Sequence, residues 1–263
     1  MLRPMEQKAI IIPIQQGNDI VNLKEIKILG LKVHNVDMAD SLACIDKALA
    51  GDRLFRVITL NAEIAYGAYG NEELTALINS ADLVTPDGSG ILWAAAKNGV
   101  KIKERVCGID LLMALMERYD GGEHGFYFLG AKPEVIKAAY RRICEKYPAL
   151  RCCGYHDGYF GVENSDAIAA EIAASGADIL IAAMGAPFQD RWIASYGDAC
   201  GVKVGIGVGG SFDVISGNVK RAPLFFQRAR LEWLYRLFAD PSRWRRTMIL
   251  PKFMRLVMKQ RRK

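Results

Sequence analysis

Two stretches carry the side chains with the most chemical capacity. The first, Val84-Thr85-Pro86-Asp87-Gly88-Ser89-Gly90, ends a strand and turns around one carboxylate. Leu83 and Val84 close the strand, Pro86 and Gly88 force the turn, and Ile91–Ala96 reads as a buried helix. Such a carboxylate is held by backbone at the rim of a sheet, where open α/β folds bind ligands. Asp87 could therefore act as a general base. It could also cap the helix that follows, and taken alone the local sequence favours the cap. The second stretch, Phe55–Asn61, reads as a strand with Thr59 and Asn61 on one side. Both offer neutral hydrogen-bonding groups of the kind that hold sugar hydroxyls or a nucleotide. The structural alternative is Asn61 as a helix cap and Thr59 as an ordinary strand residue.

Anion chemistry has its own candidates. Arg105 precedes a helix start near Gly108-Ile109-Asp110, a place suited to gripping an anion, although a surface salt bridge explains it equally well. Gly130, Gly185, Gly207 and Gly209 follow apolar strands, and their turns would lie along one sheet edge, letting backbone amides approach a phosphate. The alternative is turn glycine plus close packing. Around Gly205, Gly207, Gly209 and Gly210 the spacing is not G-x-G-x-x-G, and no acidic residue about twenty positions on ends a second strand. A nucleotide diphosphate fits these turns better than NAD. His156-Asp157, in the aromatic stretch 154–161, has no nucleophile motif beside it and reads as a structural hairpin.

The elements that must position these residues repeat one pattern. Gly125–Gly130, Asp178–Gly185 and Val202–Val208 are continuous apolar strands, each followed by a glycine turn; Pro133 opens a helix after the first and Ala186–Asp190 another after the second. Such units predict an α/β, Rossmann-like fold: a mostly parallel sheet with helices on both faces. Upstream, Ile26–Val33 reads as a first strand or hairpin, and Ser41–Leu49 as a helix capped by Asp40 or Ser41. Helices are also expected at Ala62–Tyr69, Glu72–Ser80, Asp110–Arg118 and Asn164–Ser175. Residues 1–26 read as an N-terminal extension without sustained period, 27–219 as the α/β catalytic domain, and 220–263 as a basic amphipathic helical appendage. Leu224–Phe238 reads as one helix there, with Leu224, Leu231, Leu234 and Phe238 as its apolar stripe.

Charge sets the appendage apart. The chain carries +6 overall, yet residues 220–263 hold 14 Lys/Arg against Glu232 and Asp240, a net of +12 that leaves −6 on residues 1–219. A basic tail on an acidic body points to an anionic partner: a membrane surface, a phosphate-bearing substrate or nucleic acid. The tail has no recognisable nucleic-acid motif, so no nucleic-acid partner is expected. Basic residues near an anionic bilayer contribute on the order of 1 kcal/mol each. With the interleaved apolar residues, several suffice for reversible surface binding. The alternative is a helix hairpin packed on the body with its basic face in water. No early apolar run resembles a signal peptide, and none approaches the roughly 18 residues of a spanning helix. The six cysteines form no C-x-x-C pair and read as reduced core thiols of a cytosolic protein. The three histidines are far apart, and the chain contains no D-x-D. No metal and no cofactor are expected.

Taken in order, Thr59-Leu60-Asn61, Thr85-Pro86-Asp87-Gly88, Glu104-Arg105-Val106-Cys107-Gly108, Phe128-Leu129-Gly130, Gly185-Ala186-Pro187-Phe188-Gln189-Asp190 and Gly207-Val208-Gly209-Gly210-Ser211-Phe212-Asp213 resemble the WecG/TagA/CpsF family of bacterial glycosyltransferases. Gly154–Phe160, Arg221-Ala222-Pro223, Glu232–Leu237 and Pro241–Arg246 continue the match, which runs from about Ile28 to Arg246. The resemblance implies transfer of an N-acetylmannosamine-type sugar from a UDP donor to the 4-OH of GlcNAc on a polyprenyl diphosphate, with inversion. It implies a peripheral enzyme on the cytoplasmic membrane face in surface-polysaccharide synthesis. It puts the base on Asp87 and substrate contacts on Thr59, Asn61, Arg105 and Gln189. It puts closure over the pocket and contact with the lipid diphosphate on Arg236, Arg243 and Arg246. The donor sugar, the pathway and whether the chain forms a homo-oligomer stay open. The competing readings are a non-catalytic membrane- or nucleic-acid-binding module on an α/β scaffold, and an NAD(P) enzyme, against which the missing dinucleotide fingerprint counts.

Overall fold

The computed structural model describes residues 10–13, 22–229, 231–241 and 244–260. Three short strands lead: β1 (Ile10–Pro13), β2 (Asn22–Ile28) and β3 (Leu31–His34), paired antiparallel in the order β1-β2-β3. Regular structure therefore reaches into the stretch read as an extension, whose remaining residues lie outside those described. Then follow α1 (Met38–Leu49), β4 (Phe55–Leu60), α2 (Ala62–Ala68), α3 (Glu72–Asn79), β5 (Leu83–Pro86), α4 (Gly88–Lys97) and α5 (Gly108–Arg118). The middle of the chain holds β6 (Gly125–Gly130), α6 (Pro133–Lys146), β7 (Arg151–His156), α7 (Ser165–Ser175), β8 (Ile179–Ala183), α8 (Phe188–Tyr196), β9 (Val204–Gly207) and α9 (Ser211–Ile215). The tail forms α10 (Leu224–Arg228), α11 (Glu232–Ala239), α12 (Trp244–Thr247) and α13 (Ile249–Gln260).

Six strands form one parallel sheet in the order β5-β4-β9-β8-β6-β7. Alternation along each strand divides its apolar side chains between two faces. Phe55 and Val57 of β4, Phe126 and Phe128 of β6, and Ile179 and Ile181 of β8 join one core with α1, α5, α6 and α9. Ile58 and Leu60 enter a second core with α2, α3, α4 and α13; Tyr127, Leu129, Leu180 and Ala182 enter a third with α7 and α8. This is the α/β architecture with both faces covered that the sequence predicts.

Several local expectations need correction. Helix α1 is capped by Asp37, whose side chain accepts from the Asp40 amide at 2.8 Å while Asp40 accepts from the Asp37 amide at 3.1 Å. Asp40 is thus the reciprocal member of a capping box rather than the cap. Helix α5 begins at Gly108 behind Cys107, and Asp110 sits in its first turn, accepting from the Cys107 thiol at 2.7 Å and pairing with Arg221. The stretch read as a hairpin is partly an edge strand: β7 runs parallel to β6, and its two-Cys, one-Gly sequence shows little apolar alternation because only one flank is covered. The single helix expected over 224–238 breaks into α10 and α11, and Leu224 and Phe238 are 66% and 71% exposed rather than packed. By contrast Phe253 and Val257 of α13 are buried against α2 and α4. The far end of the appendage thereby covers part of the second core.

Candidate active site

A cleft of about 560 Å³ opens at the carboxyl ends of β4, β5, β8 and β9. Its size lies within the range of small-molecule sites. Chain order along the sheet changes direction here: β4 leads outward to β5, while β9 returns to pair with β4 from the other side. This is the switch point at which open parallel sheets bind ligands.

Asp87 occupies the N-cap position of α4 with extended backbone, but its side chain makes no cap hydrogen bond. Its amide donates to the Leu60 carbonyl at 2.8 Å, tying the turn to the end of β4. The carboxylate borders the cleft, as do Gly88, Ser89 and Gly90, the start of a helix whose first amides the Asp87 carboxylate does not cap.

Asn61 does cap its helix. Its Oδ1 accepts from the amides of Glu63 and Ile64 at 2.9 and 3.0 Å. Asn61 also borders the cleft, and the cap engages only its side-chain oxygen. Thr59 is buried and donates from Oγ1 to the Gly207 carbonyl at 3.1 Å, linking β4 to β9 on the cleft floor. Gly108 fits against this bond: a Cβ there would stand 3.1 Å from Val208 Cα and 3.3 Å from Thr59 Oγ1.

Arg105 reaches the cleft because its strand-like segment is pinned on both sides. The Val106 amide donates to the Pro86 carbonyl at 3.0 Å, and Thr85 Oγ1 donates to the Val106 carbonyl at 3.0 Å. Two residues earlier, the Lys103 amide donates to Asn35 Oδ1 at 2.8 Å. The guanidinium then meets Glu232 of α11, Nη1 to Oε2 at 3.1 Å. Burial pulls its pKa down, but Cys107, Glu232 and Asp87 outweigh it and hold the group above the ordinary arginine value. The Cys107 thiol is shifted upward as well: burial, then Asp87 and Asp110, push it well up, so it is a neutral thiol and not a nucleophile.

Gln189 ties two glycine turns together. Its Oε1 accepts from the amides of Gly185 and Gly209, at 3.2 and 3.1 Å. Behind it, Asp190 is buried with Oδ1 unpartnered, and desolvation raises its carboxyl to about 7 against a smaller opposing hydrogen bond from Gln189. A Cβ on Gly207 would stand 2.4 Å from Asp190 Oδ1 and 2.5 Å from Gln189 Nε2, so this glycine makes room for both.

The cleft therefore gathers Asp87, Thr59, Asn61, Arg105, Gln189, Gly185, Gly209 and Arg246. Two glycines stand apart from its walls. Gly207 lies under the floor, and Gly130 ends β6 against the Ala183 backbone, where a Cβ would be 2.6 Å from the Ala183 carbonyl carbon. Arg246 pairs with Glu63 at 3.3 Å. Arg236 falls within α11, and Arg243 lies outside the described residues. His156 ends β7, beyond the cleft, with Nδ1 2.8 Å from the Asp157 carbonyl oxygen. Among the described residues, no three His, Cys, Asp or Glu side chains gather as a metal site, and no helix is long and apolar enough to cross a membrane. Sequence reasoning gave no role to Glu232 and Trp233, which roof the cleft from α11. The available signal was charge: Glu232 is one of two acidic residues in a tail of 14 cations.

The family model described as "Glycosyl transferase WecG/TagA/CpsF family" matches residues 26–263. Curated relatives bear the name N-acetylglucosaminyldiphosphoundecaprenol N-acetyl-beta-D-mannosaminyltransferase. The one from Bacillus spizizenii is 39% identical over 206 residues, 78% of this chain and 79% of the relative. The one from Bacillus subtilis is 33% identical over 234 residues, 87% and 91% of the two chains. The one from Staphylococcus aureus is 30% identical over 245 residues, 92% and 95%.

Proposed function

The chain belongs to the WecG/TagA/CpsF glycosyltransferase family, and from that premise we propose that it moves an N-acetylmannosamine-type sugar from UDP to the 4-OH of GlcNAc on a polyprenyl diphosphate. The observation that carries this reading is the meeting of one carboxylate, Asp87, and one anchored cation, Arg105, at the switch point of the parallel sheet. Transfer with inversion needs little more. Asp87 takes the proton from the acceptor hydroxyl as its oxygen bonds to the anomeric carbon. The bond from that carbon to the UDP oxygen breaks, and the electron pair leaves with UDP. Arg105 and the amides at the start of α4 meet the charge that develops on the diphosphate. Asn61 offers its amide hydrogens to the sugar, and Gln189 keeps the Gly185 and Gly209 turns in place.

The appendage serves the lipid end of the acceptor. Phe225 is 73% exposed and Trp244 56%, beside Leu224 and Phe238, while Arg245, Lys252, Arg255 and Lys259 are exposed in the following helices. Aromatic and aliphatic groups flanked by cations are the composition of a surface that rests on an anionic bilayer. We assign the chain to the cytoplasmic face of the membrane as a peripheral enzyme, with residues 27–219 as the catalytic body and 220–263 as the docking appendage. Arg236, Arg243 and Arg246 are the proposed contacts to the lipid diphosphate.

The test is product identity. The protein is incubated with UDP-sugars and a short-chain polyprenyl-diphosphate-GlcNAc, and the product is analysed by mass and NMR. A β-1,4-linked disaccharide from the N-acetylmannosamine donor is expected. Failure with every donor, by protein that is folded and vesicle-bound, would overturn the reading.

A further inference from the structure

The cations that the described residues bring to the cleft already hold carboxylates. Among the described residues lining it, Arg105 and Arg246 are the two guanidinium groups, and each is paired with a carboxylate from the same lining: Glu232 at 3.1 Å and Glu63 at 3.3 Å. A diphosphate that takes either guanidinium has to displace the carboxylate already on it. The two pairs differ in depth. Arg246 and Glu63 are largely in water, whereas the Arg105 and Glu232 side chains are only 17% and 11% exposed.

We propose that Glu232 is a placeholder for the donor's diphosphate: it holds Arg105 when the site is empty, yields it to a phosphate when UDP-sugar binds, and retakes it as UDP leaves. This deepens the reading above and rests on it. The asymmetry of the pair decides which partner moves. Arg105 is fixed by backbone hydrogen bonds from both flanks, through Val106 to Pro86 and through Lys103 to Asn35. Glu232 is 127 positions away, in the first turn of an eight-residue helix that packs chiefly on its tail neighbours α10 and α12. A largely buried guanidinium released without an anion would be costly, so the exchange is coupled: Glu232 leaves as the phosphate arrives. The diphosphate carries more charge than one carboxylate and also reaches the α4 amides, so it wins the exchange. The same carboxylate then competes with product UDP and speeds its departure.

The experiment is calorimetric titration of UDP into wild type, Glu232→Gln, Glu232→Asp, Arg105→Ala and the Arg105→Ala/Glu232→Gln double variant, each checked for an unchanged thermal transition. Removing the competing charge is expected to tighten UDP binding about tenfold, the scale of one charge-assisted contact. Product inhibition by UDP should strengthen in parallel. Glu232→Asp retains a carboxylate and should bind UDP close to wild type. In the Arg105→Ala background the Glu232→Gln gain should vanish. Wild type that binds no UDP would sink the donor assignment itself. Wild type that binds UDP, with Glu232→Gln equal or weaker, would overturn the placeholder alone and make the pair a fixed clamp between body and appendage.

Discussion

Replacing Phe253 with alanine should loosen the site without touching it. Phe253 is fully buried where α13 crosses α2 and α4. These two helices begin at Asn61 and Asp87. Gly90 gives α13 its seat, since a Cβ there would stand 2.8 Å from Ala62 Cβ and 3.0 Å from Leu250 Cδ1. Truncating a buried Phe to Ala typically costs ~3–5 kcal/mol, part lost transfer energy and part cavity. Phe253 and Val257 are the fully buried side chains of α13. A loss of that size is therefore comparable to the whole docking energy of a two-anchor helix, at ~1.5–3 kcal/mol per buried apolar side chain. The helix should come away before the body unfolds. Urea unfolding followed by circular dichroism, with hydrogen exchange over residues 249–260, reads both events. Protection of α13 should collapse and the unfolding midpoint fall, while the exposed-face control Met258→Ala stays within ~0.5 kcal/mol of wild type. Transfer activity should drop with the loss of protection, because both cap residues lose their brace. An unchanged midpoint with α13 still protected would refute the reasoning.

Other consequences follow from single contacts. Thr85→Val removes the bond that holds the Val106 carbonyl, so stability should fall by ~1–3 kcal/mol, and KM for the donor should rise as Arg105 loosens; an unchanged KM counts against backbone anchoring. Gly130→Ala puts a Cβ against the Ala183 backbone at φ +124°, which should cost ~3 kcal/mol or more in thermal stability; a neutral result would mean that the strand ends can part. Asp190→Asn tests a buried carboxyl whose folded pKa, about 7, is raised above its unfolded value. Its contribution is fully present below pH 4 and is lost as pH rises through 7, so the neutral amide should stabilise the fold at pH 8, with an advantage that shrinks as pH falls and is gone below pH 4. A stability gain independent of pH would contradict it.

How far the sequence could be read depended on how local the cause was. The Asp87 turn was legible because Pro86 and Gly88 punctuate it, and the continuous apolar strands marked a sheet covered on both faces. Asn61 was legible as a cap and as a cleft residue, since one side chain does both. β7 was not, because an edge strand covered on one flank needs little apolar alternation. Gly130 and Gly207 look alike as strand-end glycines, yet one packs on Ala183 and the other makes room for Gln189 and Asp190. The union of Arg105 with Glu232 is a tertiary pairing across 127 residues, and no spacing rule encodes it. The broken helix at α10–α11 escaped because the apolar period continues through the break, although Leu224 and Phe238 find no core.

The most direct test of the central claim is Asp87→Asn, measured by UDP release from the N-acetylmannosamine donor in the presence of lipid-linked acceptor and, separately, by UDP binding. A general base is typically worth about 10²–10⁴-fold in rate. A kcat loss of that order is expected, with UDP affinity kept close to wild type. Turnover within tenfold of wild type would contradict it and return Asp87 to the role of a turn residue at the head of α4.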